Sequence, residues 1–281
     1  MDWSKAKNIL LVGLIIANLT LLVFFLEARQ RMKNPEYSQE FLEESRALLE
    51  EEGVTLKAQV PQEPQTLGSL QVTIQEARAD QVNRDFFQGR GEVLSKPGSL
   101  DTISLGQDQV SLIANRRILY EKGGRGQGED LERDQAQDLA MFFLDKRGYE
   151  TSDLSLVHGD FKEGKWFLSY TMVYEGVPVE STYTHFIIEG EEVLRMDRFW
   201  IQVLGKEEET YVLPSGAKAL LSLLGQEAYK GRTLKAMTPC YYFNPEAQGS
   251  VEEISQSLQG KATPAWRLVF EDGEELVLDL F

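Results

Sequence analysis

Two histidines, His158 and His185, are the side chains best suited to proton transfer near neutral pH. His158 lies in a His-Gly-Asp segment that predicts a turn at a strand end, and His185 lies in an alternating strand beside Thr184. Either could act as a base or bind a metal ion. Because neither belongs to an HExxH, HxH or GxSxG motif, we expect a turn residue and a residue on a sheet face.

Four other features have chemical potential. The runs Glu50–Glu52 and Glu207–Glu209 are typical of a solvated face, although a pair of catalytic carboxylates, as in glycosidases, stays an alternative. The glycine-rich run at 123–128 lacks the Gly-Lys-Ser/Thr ending of a P-loop and predicts a flexible connector. Cys240 precedes three aromatic residues, which predicts a buried thiol. The sequence therefore predicts no catalytic site, no metal site and no cofactor.

The composition excludes several classes of protein. The chain has 281 residues, with 29 Lys and Arg against 45 Asp and Glu, which gives a net charge of −16. Such an acidic chain is repelled by phosphate, so we expect no nucleic-acid partner. A single cysteine cannot form an internal disulfide. Aromatic residues make up 10% of the chain, which argues against disorder, and the length allows one large domain or two small ones.

Residues 9–26 predict a transmembrane signal anchor. The run contains no charged side chain and would span roughly 27 Å as a helix, close to the thickness of a hydrocarbon core. A cleavable signal peptide is the alternative, but the run is longer than such a segment and Leu26 makes the following residues a poor cleavage site.

The orientation of the anchor is less strongly encoded, because basic residues flank the span on both sides in similar number. A short N-terminal tail before a single span usually stays in the cytoplasm. We therefore expect a cytoplasmic tail at 1–8 in the cell membrane, with the bulk of the chain outside the cytoplasm, where a single cysteine limits oxidation.

One face of the predicted anchor carries small residues. At 100° per residue, Ala6, Gly13, Ala17 and Thr20 fall within about 60° of one another. Gly13 and Ala17 form a small-xxx-small pair that lets another helix approach closely, and Asn18, about 100° further round, could hydrogen-bond to a partner helix. From these residues alone, contact with a partner helix and passive anchoring are both open.

Apolar periodicity predicts a loose repeat in which a helix is followed by antiparallel strands. The predicted helices are 34–53, capped by Asn34, 130–147, capped by Asp130, and 215–228. The predicted strands are 54–60, 70–77, 109–114, 117–121, 154–158, 166–174, 182–189, 191–203, 236–243, 265–270 and 276–281. This order favours an α+β fold of two extracytoplasmic domains, at 27–128 and 129–281, each with antiparallel sheet packed against helices.

The opening MDWSKAKNIL, which leads directly into the span, and the ending TPAWRLVFEDGEELVLDLF resemble the YycI (WalI) family over essentially the whole chain. The resemblance implies a fold related to the C-terminal domains of YycH and no catalytic residues. It also implies two partners: a YycH-like membrane protein and the sensor histidine kinase YycG (WalK) of the YycFG (WalKR) two-component system, which governs cell-wall metabolism.

We therefore expect a non-enzymatic, membrane-anchored regulator that contacts its partners partly through Gly13, Ala17, Asn18 and Thr20. Two alternatives remain. One is an extracytoplasmic inhibitor or chaperone-like binding module, for which the anchor would be dispensable. The other is a membrane-tethered cell-wall hydrolase, whose activity would depend on a histidine or a pair of carboxylates.

Overall fold

The structure, a computed structural model, describes residues 13–23, 35–96, 100–244 and 259–280. Its α-helices are α1 (13–23), α2 (Gln39–Glu51), α3 (Ala79–Phe87), α4 (Arg133–Asp145) and α5 (Gly216–Leu220). Single turns of 3-10 helix lie at Pro35–Tyr37, Leu221–Leu223 and Glu227–Tyr229. Its strands are β1 (Thr55–Leu56), β2 (Thr66–Ile74), β3 (Glu92–Lys96), β4 (Leu100–Leu105), β5 (Asp108–Ile113), β6 (Arg117–Glu121), β7 (Leu154–Lys162), β8 (Lys165–Tyr174), β9 (Val177–Glu189), β10 (Glu192–Phe199), β11 (Ile201–Val212), β12 (Thr233–Tyr242), β13 (Gln259–Phe270) and β14 (Glu275–Leu278).

Backbone contacts divide the chain into two compact units that are discontinuous in sequence. The smaller unit contains the residues up to Gln65, Pro214–Met237 and Val269–Glu274, and the larger unit contains Thr66–Leu213, Thr238–Leu268 and the residues from Glu275 onward. The sequential boundary that we predict at residue 128 falls inside the larger unit, where Tyr120 of β6 pairs with Met196 of β10. Independent folding of 27–128 and 129–281 stays a prediction.

The larger unit is dominated by sheet. Its strands follow the hydrogen-bonded order β11–β2–β13–β12–β9–β10–β6–β5–β4–β3, with β8 and then β7 added beside β9, and β14 beside β13. Neighbours from β3 to β6 and from β7 to β10 pair antiparallel, as predicted, whereas the short pairing of β9 with β12 is parallel. The architecture is thus mixed α+β with most of its residues in strands.

Two apolar clusters form the core of the larger unit. In the first, α3 and α4 cover one face of the sheet, with Ala140 and Phe143 of α4 packed among Phe186, Ile188 and other strand residues. The second cluster joins β2, β11 and β12 and includes the buried residues Leu70, Val72, Trp200, Ile201 and Tyr241. Burial of these alternate strand residues explains the period-two pattern in the sequence.

The smaller unit contains α2, whose predicted cap was wrong. The amide of Phe41 donates to the hydroxyl of Ser38 at 3.1 Å, so the helix begins after Ser38, a good N-cap residue, while Asn34 lies outside the described residues. Leu42 and Leu49 of α2 are buried in this unit. The predicted start of the third helix at residue 215 is confirmed, because the Ser215 hydroxyl accepts from the amide of Lys218 at 3.2 Å, but α5 ends after a few residues and continues as 3-10 turns.

Several other predicted elements needed correction. The helix α4 is capped by Glu132, which forms a capping box with Gln135, rather than by Asp130. The predicted strand 191–203 is two strands, since buried Trp200 separates β10, which pairs with β6 and β9, from β11, which pairs with β2. The strands β3 and β4 and the helix α3 were not predicted.

The glycine-rich run at 123–128 is held against the larger unit. The amide of Gly126 donates to the carboxylate of Glu189 at 2.8 Å, and the amide of Gln127 donates to Glu192 at 3.1 Å. A Cβ at position 126 would lie only 1.9 Å from the carbonyl oxygen of Glu189. Glycine therefore permits close approach of two backbones here, and the predicted flexible connector is instead a docked loop.

Candidate functional site

The predicted contact face lies on α1, where Gly13, Ala17, Asn18 and Thr20 are all exposed. The Asn18 amide donates to the carbonyl of Leu14 and the Thr20 hydroxyl to that of Ile16, each at 2.9 Å. These bonds to the preceding turn satisfy part of each polar side chain within the helix. An asparagine amide has further donor and acceptor capacity, so such a bond leaves Asn18 able to bind a second helix.

The described part of α1 is shorter than the predicted span. Within the described residues, none of the helices combines the length and the apolar character that a membrane crossing requires. Residues 9–12 and 24–26 of the predicted span, like the predicted tail at 1–8, lie outside the described part.

The sheet of the larger unit brings together a polar row that the sequence did not predict. Strand register places His158 of β7 opposite Ser169 of β8, Ser169 opposite His185 of β9, and His185 opposite Asp197 of β10. His158 thus lies within a strand rather than in the predicted turn, next to a register shift in β7. His185 lies on an exposed sheet face, as predicted. Only the pairing of four separate strands could reveal this row.

The row contains serine, histidine and aspartate, the residue types of a proton relay. Their hydrogen-bond partners differ from those in such a relay. The Nδ1 of His185 lies 2.9 Å from the Ser169 hydroxyl, and the ring stacks on Tyr183. The Asp197 carboxylate instead accepts two hydrogen bonds from the Arg117 guanidinium, at 2.8 and 2.6 Å. A relay needs the aspartate on the histidine nitrogen that faces away from serine. In the described part of the chain, no hydrogen bond joins His185 to Asp197.

The burial and the charges around His185 favour the neutral form of its ring. Partial burial of the His185 ring lowers its pKa, and the nearby charge of Asp197 only partly offsets this. Among the described residues, no group of three or more histidine, cysteine, aspartate or glutamate side chains could hold a metal ion.

A buried ion pair lies near the single cysteine. Cys240 is fully buried in β12, as predicted, and burial raises the pKa of its thiol. The Nε of Arg267 lies 3.1 Å from a Glu180 oxygen, and its Nη2 lies 2.6 Å from a Glu275 oxygen. Burial raises the pKa of the Glu180 carboxyl. This cluster compensates charge inside the unit.

The two glutamate runs behave differently. Glu50–Glu52 are exposed, as predicted for a solvated face. Glu207 is only half exposed, since its carboxylate pairs with Lys261 at 2.6 Å and accepts from the Ser69 hydroxyl at 2.8 Å. The hydrogen bond from Lys261 is the main reason that the pKa of Glu207 is lowered. An ionised, engaged carboxylate of this kind stabilises strand pairing.

The larger unit also carries a cleft of about 560 Å³ beside α3 and the end of α4. Its walls contain three carboxylates and six basic side chains: Arg78, Arg84, Arg116, Lys146, Arg147 and Arg198. A basic excess is unusual in a chain whose net charge is −16. The cleft could not be predicted from the sequence, because its basic residues are scattered over four segments, and α3, which forms one wall, was not predicted.

Comparisons with known proteins reveal a shared fold. No family model matches the sequence, and no curated protein matches it. Among solved structures, YycH from Bacillus subtilis superposes with a TM-score of 0.56 at 12% identity, covering 79% of this chain and 54% of YycH. The chain thus spans about half of the length of YycH.

Two further solved structures are similar. An uncharacterized protein from Eubacterium rectale has a TM-score of 0.50 at 10% identity and covers 76% of this chain and 82% of its own. The Bacillus megaterium YpeB C-terminal domain has a TM-score of 0.37 at 11% identity, over 73% of this chain and 99% of the domain. The chain therefore has a mixed α+β, sheet-dominated fold that resembles YycH.

Proposed function

We propose that the chain is a non-enzymatic, membrane-anchored regulator of the YycI type. With a YycH-like partner, it modulates the activity of the sensor histidine kinase YycG (WalK), which controls cell-wall metabolism. The observation that carries the proposal is the YycH-like fold, which extends over 79% of this chain. The N-terminal and C-terminal segments that resemble YycI agree with it, and so does coverage of only 54% of YycH, as a likeness to part of YycH would give.

The anchor supplies the contact with the kinase in this proposal. Gly13, Ala17 and Thr20 present little side-chain volume, so a partner helix can approach the backbone closely. Among the described residues, a Cβ added at Gly13 would meet no atom within 4 Å beyond its own stretch of helix, which leaves space for a partner. If the kinase's membrane helices have two arrangements, a difference of about 1.4 kcal/mol in contact energy changes their ratio tenfold.

The larger unit supplies the extracytoplasmic part of the proposal. In the proposal, this YycH-like unit pairs with YycH outside the membrane while the anchor contacts the kinase. An engaged Asp197, held by Arg117, agrees with a binding role rather than hydrolysis.

The test is co-purification of the full chain from gently solubilised membranes, in its natural form and with residues 9–26 replaced by polyleucine. We expect a histidine kinase and a YycH-like protein to co-elute with the natural form, and the kinase to be lost with polyleucine. If neither form brings a kinase, the proposal fails, and a binding module with a secreted target or a hydrolase becomes the better reading.

A sharper version changes single residues. Gly13→Leu adds bulk on the small face, and we expect it to reduce kinase recovery at least tenfold, because helix packing at small residues depends on close approach. Leu19→Phe is the matched control, since it adds bulk on the same helix at about 100° or more from all four predicted contact residues. Equal recovery of the kinase with Gly13→Leu and with the natural chain would exclude this face.

A further inference from the structure

A ladder of guanidinium groups and aromatic rings lies along the cleft in the larger unit, and Arg147, Tyr149, Arg198 and Trp200 of this ladder line the cleft. The Cζ of Arg147 lies 3.4 Å from the ring centre of Phe143 and 4.8 Å from that of Phe86. The Phe86 ring lies 6.4 Å from Tyr149, and the Cζ of Arg198 lies 5.0 Å from Tyr149. Both arginines line the cleft, and rings rather than carboxylates lie against their guanidinium groups.

The buried member of the ladder is Arg198. Only 2% of the residue is exposed, yet it lines the cleft and sits 4.0 Å over the ring of Trp200. One of its terminal nitrogens donates to the Thr184 hydroxyl at 2.8 Å. Its Nε is buried and has no hydrogen-bond acceptor among the described residues. A buried guanidinium with an unused donor is costly unless something satisfies it.

Arg147 shows the same incomplete bonding. A terminal nitrogen donates to the carbonyl of Phe143 at 2.7 Å, as basic residues often do at the end of a helix. The Nε is again buried without an acceptor among the described residues. Within the described chain, no carboxylate lies within ion-pair distance of Arg147 or Arg198.

The acidic groups nearby do not cancel these charges. Burial lowers the pKa of Arg198 to about 10, more than the charges of Tyr149 and Asp153 raise it. Burial likewise lowers the pKa of Arg147, more than Asp85 and the tyrosines raise it. At the rim, Asp80 is already shared between two cleft arginines, Arg78 and Arg84.

We propose that this cleft binds a small oxyanion with at least two negative charges, carried by phosphate or carboxylate groups. Such an anion would accept hydrogen bonds from terminal nitrogens of Arg147 and Arg198, since both residues line the cleft and guanidinium matches both chemical groups. Weak hydration of guanidinium lets the protein hold the two cations ready without a carboxylate. The site goes beyond the proposed function, because it gives the regulator a ligand of its own.

The experiment is isothermal titration calorimetry of the full chain in detergent micelles at constant ionic strength. Pyrophosphate and citrate are the two probes, one for each chemical group, and the variants are Arg147→Gln, Arg198→Met and Arg90→Gln. Arg90 is an exposed arginine of the same unit that does not line the cleft, so its variant controls for net charge. Circular dichroism verifies that each variant is folded.

We expect saturable binding of at least one probe, which identifies the group, and at least a tenfold weakening with Arg147→Gln and with Arg198→Met. Arg90→Gln should bind like the natural chain. The proposal is overturned if neither probe binds saturably, or if Arg147→Gln binds as tightly as Arg90→Gln. If Arg198→Met fails to fold, the binding measured with Arg147→Gln decides by itself. None of these outcomes depends on recovery of a kinase, so the site and the proposed function can fail separately.

Discussion

Two buried arginines of the larger unit, Arg267 and Arg198, are compensated in different ways. Arg267 lies between the carboxylates of Glu180 and Glu275, at 3.1 and 2.6 Å, with 11% of its side chain exposed. Arg198 is at least as buried, but rings and the Thr184 hydroxyl are its neighbours.

The pKa values follow this difference. Burial alone would lower the pKa of Arg267, but its hydrogen bond with Glu275 and the charge of Glu180 raise it above the ordinary value. The pKa of Arg198 is lowered, because burial outweighs the attraction of its neighbours. Two carboxylates thus balance the charge of Arg267, whereas Arg198 forms no ion pair within the described residues, as the proposed anion site requires.

The largest effect is expected from Arg267→Met. It leaves the Glu180 carboxylate buried beside apolar groups, and removing one member of a buried ion pair costs about 3 kcal/mol in the free energy of unfolding. The pKa of Glu180 is already raised by burial, and loss of the cation raises it further. Protonation of Glu180 then removes the buried charge, so the loss in the free energy of unfolding should become smaller as the pH falls from about 7 to about 5. Urea unfolding at both pH values measures it.

The control for that variant is Lys57→Met. Lys57 forms an ion pair with Glu271, but 61% of its side chain is exposed, so we expect a change below about 0.5 kcal/mol. If Arg267→Met costs no more than Lys57→Met, the ion pair does not balance charge inside the unit, and the contrast with Arg198 disappears.

A smaller effect is expected from Arg198→Met. Methionine keeps much of the side chain's length and leaves no carboxylate without its ion-pair partner, and the relief of desolvation offsets the lost contacts with Trp200 and Thr184. We expect the free energy of unfolding to stay within about 1 kcal/mol of the natural chain. A loss as large as that of Arg267→Met would show that Arg198 is a structural residue and not one left for a ligand.

Local sequence signals predicted much of the fold. Alternation in the segments that became β8 and β9 was readable because one sheet face is buried, as at Leu168 and Phe186. The residues that cap the helices were harder to predict, since several residues before a helix can serve as the N-cap, and Ser38 caps α2. Helix α3 was missed because it has only nine residues and ends at Gln88, in a left-handed conformation where glycine would have been the expected signal.

The candidate sites depend more on the folded structure and less on local sequence signals than the strands do. The contact face on α1 could be predicted locally, because Gly13 and Ala17 lie four residues apart on one helix, and it stays a prediction. The cleft was not predicted, since Arg147 and Arg198 are 51 positions apart in the numbering and are linked through the rings of Phe86 in α3 and of Tyr149, which follows α4. No local pattern distinguishes Arg198 from Arg195 or Arg267. Which arginine has a carboxylate beside it depends on strand register, and that emerges only from the folded sheet.

The smallest effect on stability is expected from His185→Gln. This variant extends the comparison to a partly buried side chain whose neutral form is favoured. Partial burial lowers the pKa of His185, so the unfolded chain takes up its proton at a higher pH than the folded chain. This histidine therefore makes stability fall as the pH drops through its unfolded pKa of about 6.5 towards the lower folded value. His185→Gln should remove the contribution of this histidine to the slope of stability against pH. Urea midpoints from about pH 7.5 to about pH 5 compare it with the natural chain, and His185→Asn should flatten the curve equally. An unchanged slope in both would mean that the ring of His185 takes up its proton as readily in the folded sheet as in water, and that charge compensation on this face is left to Arg117 and Asp197 alone.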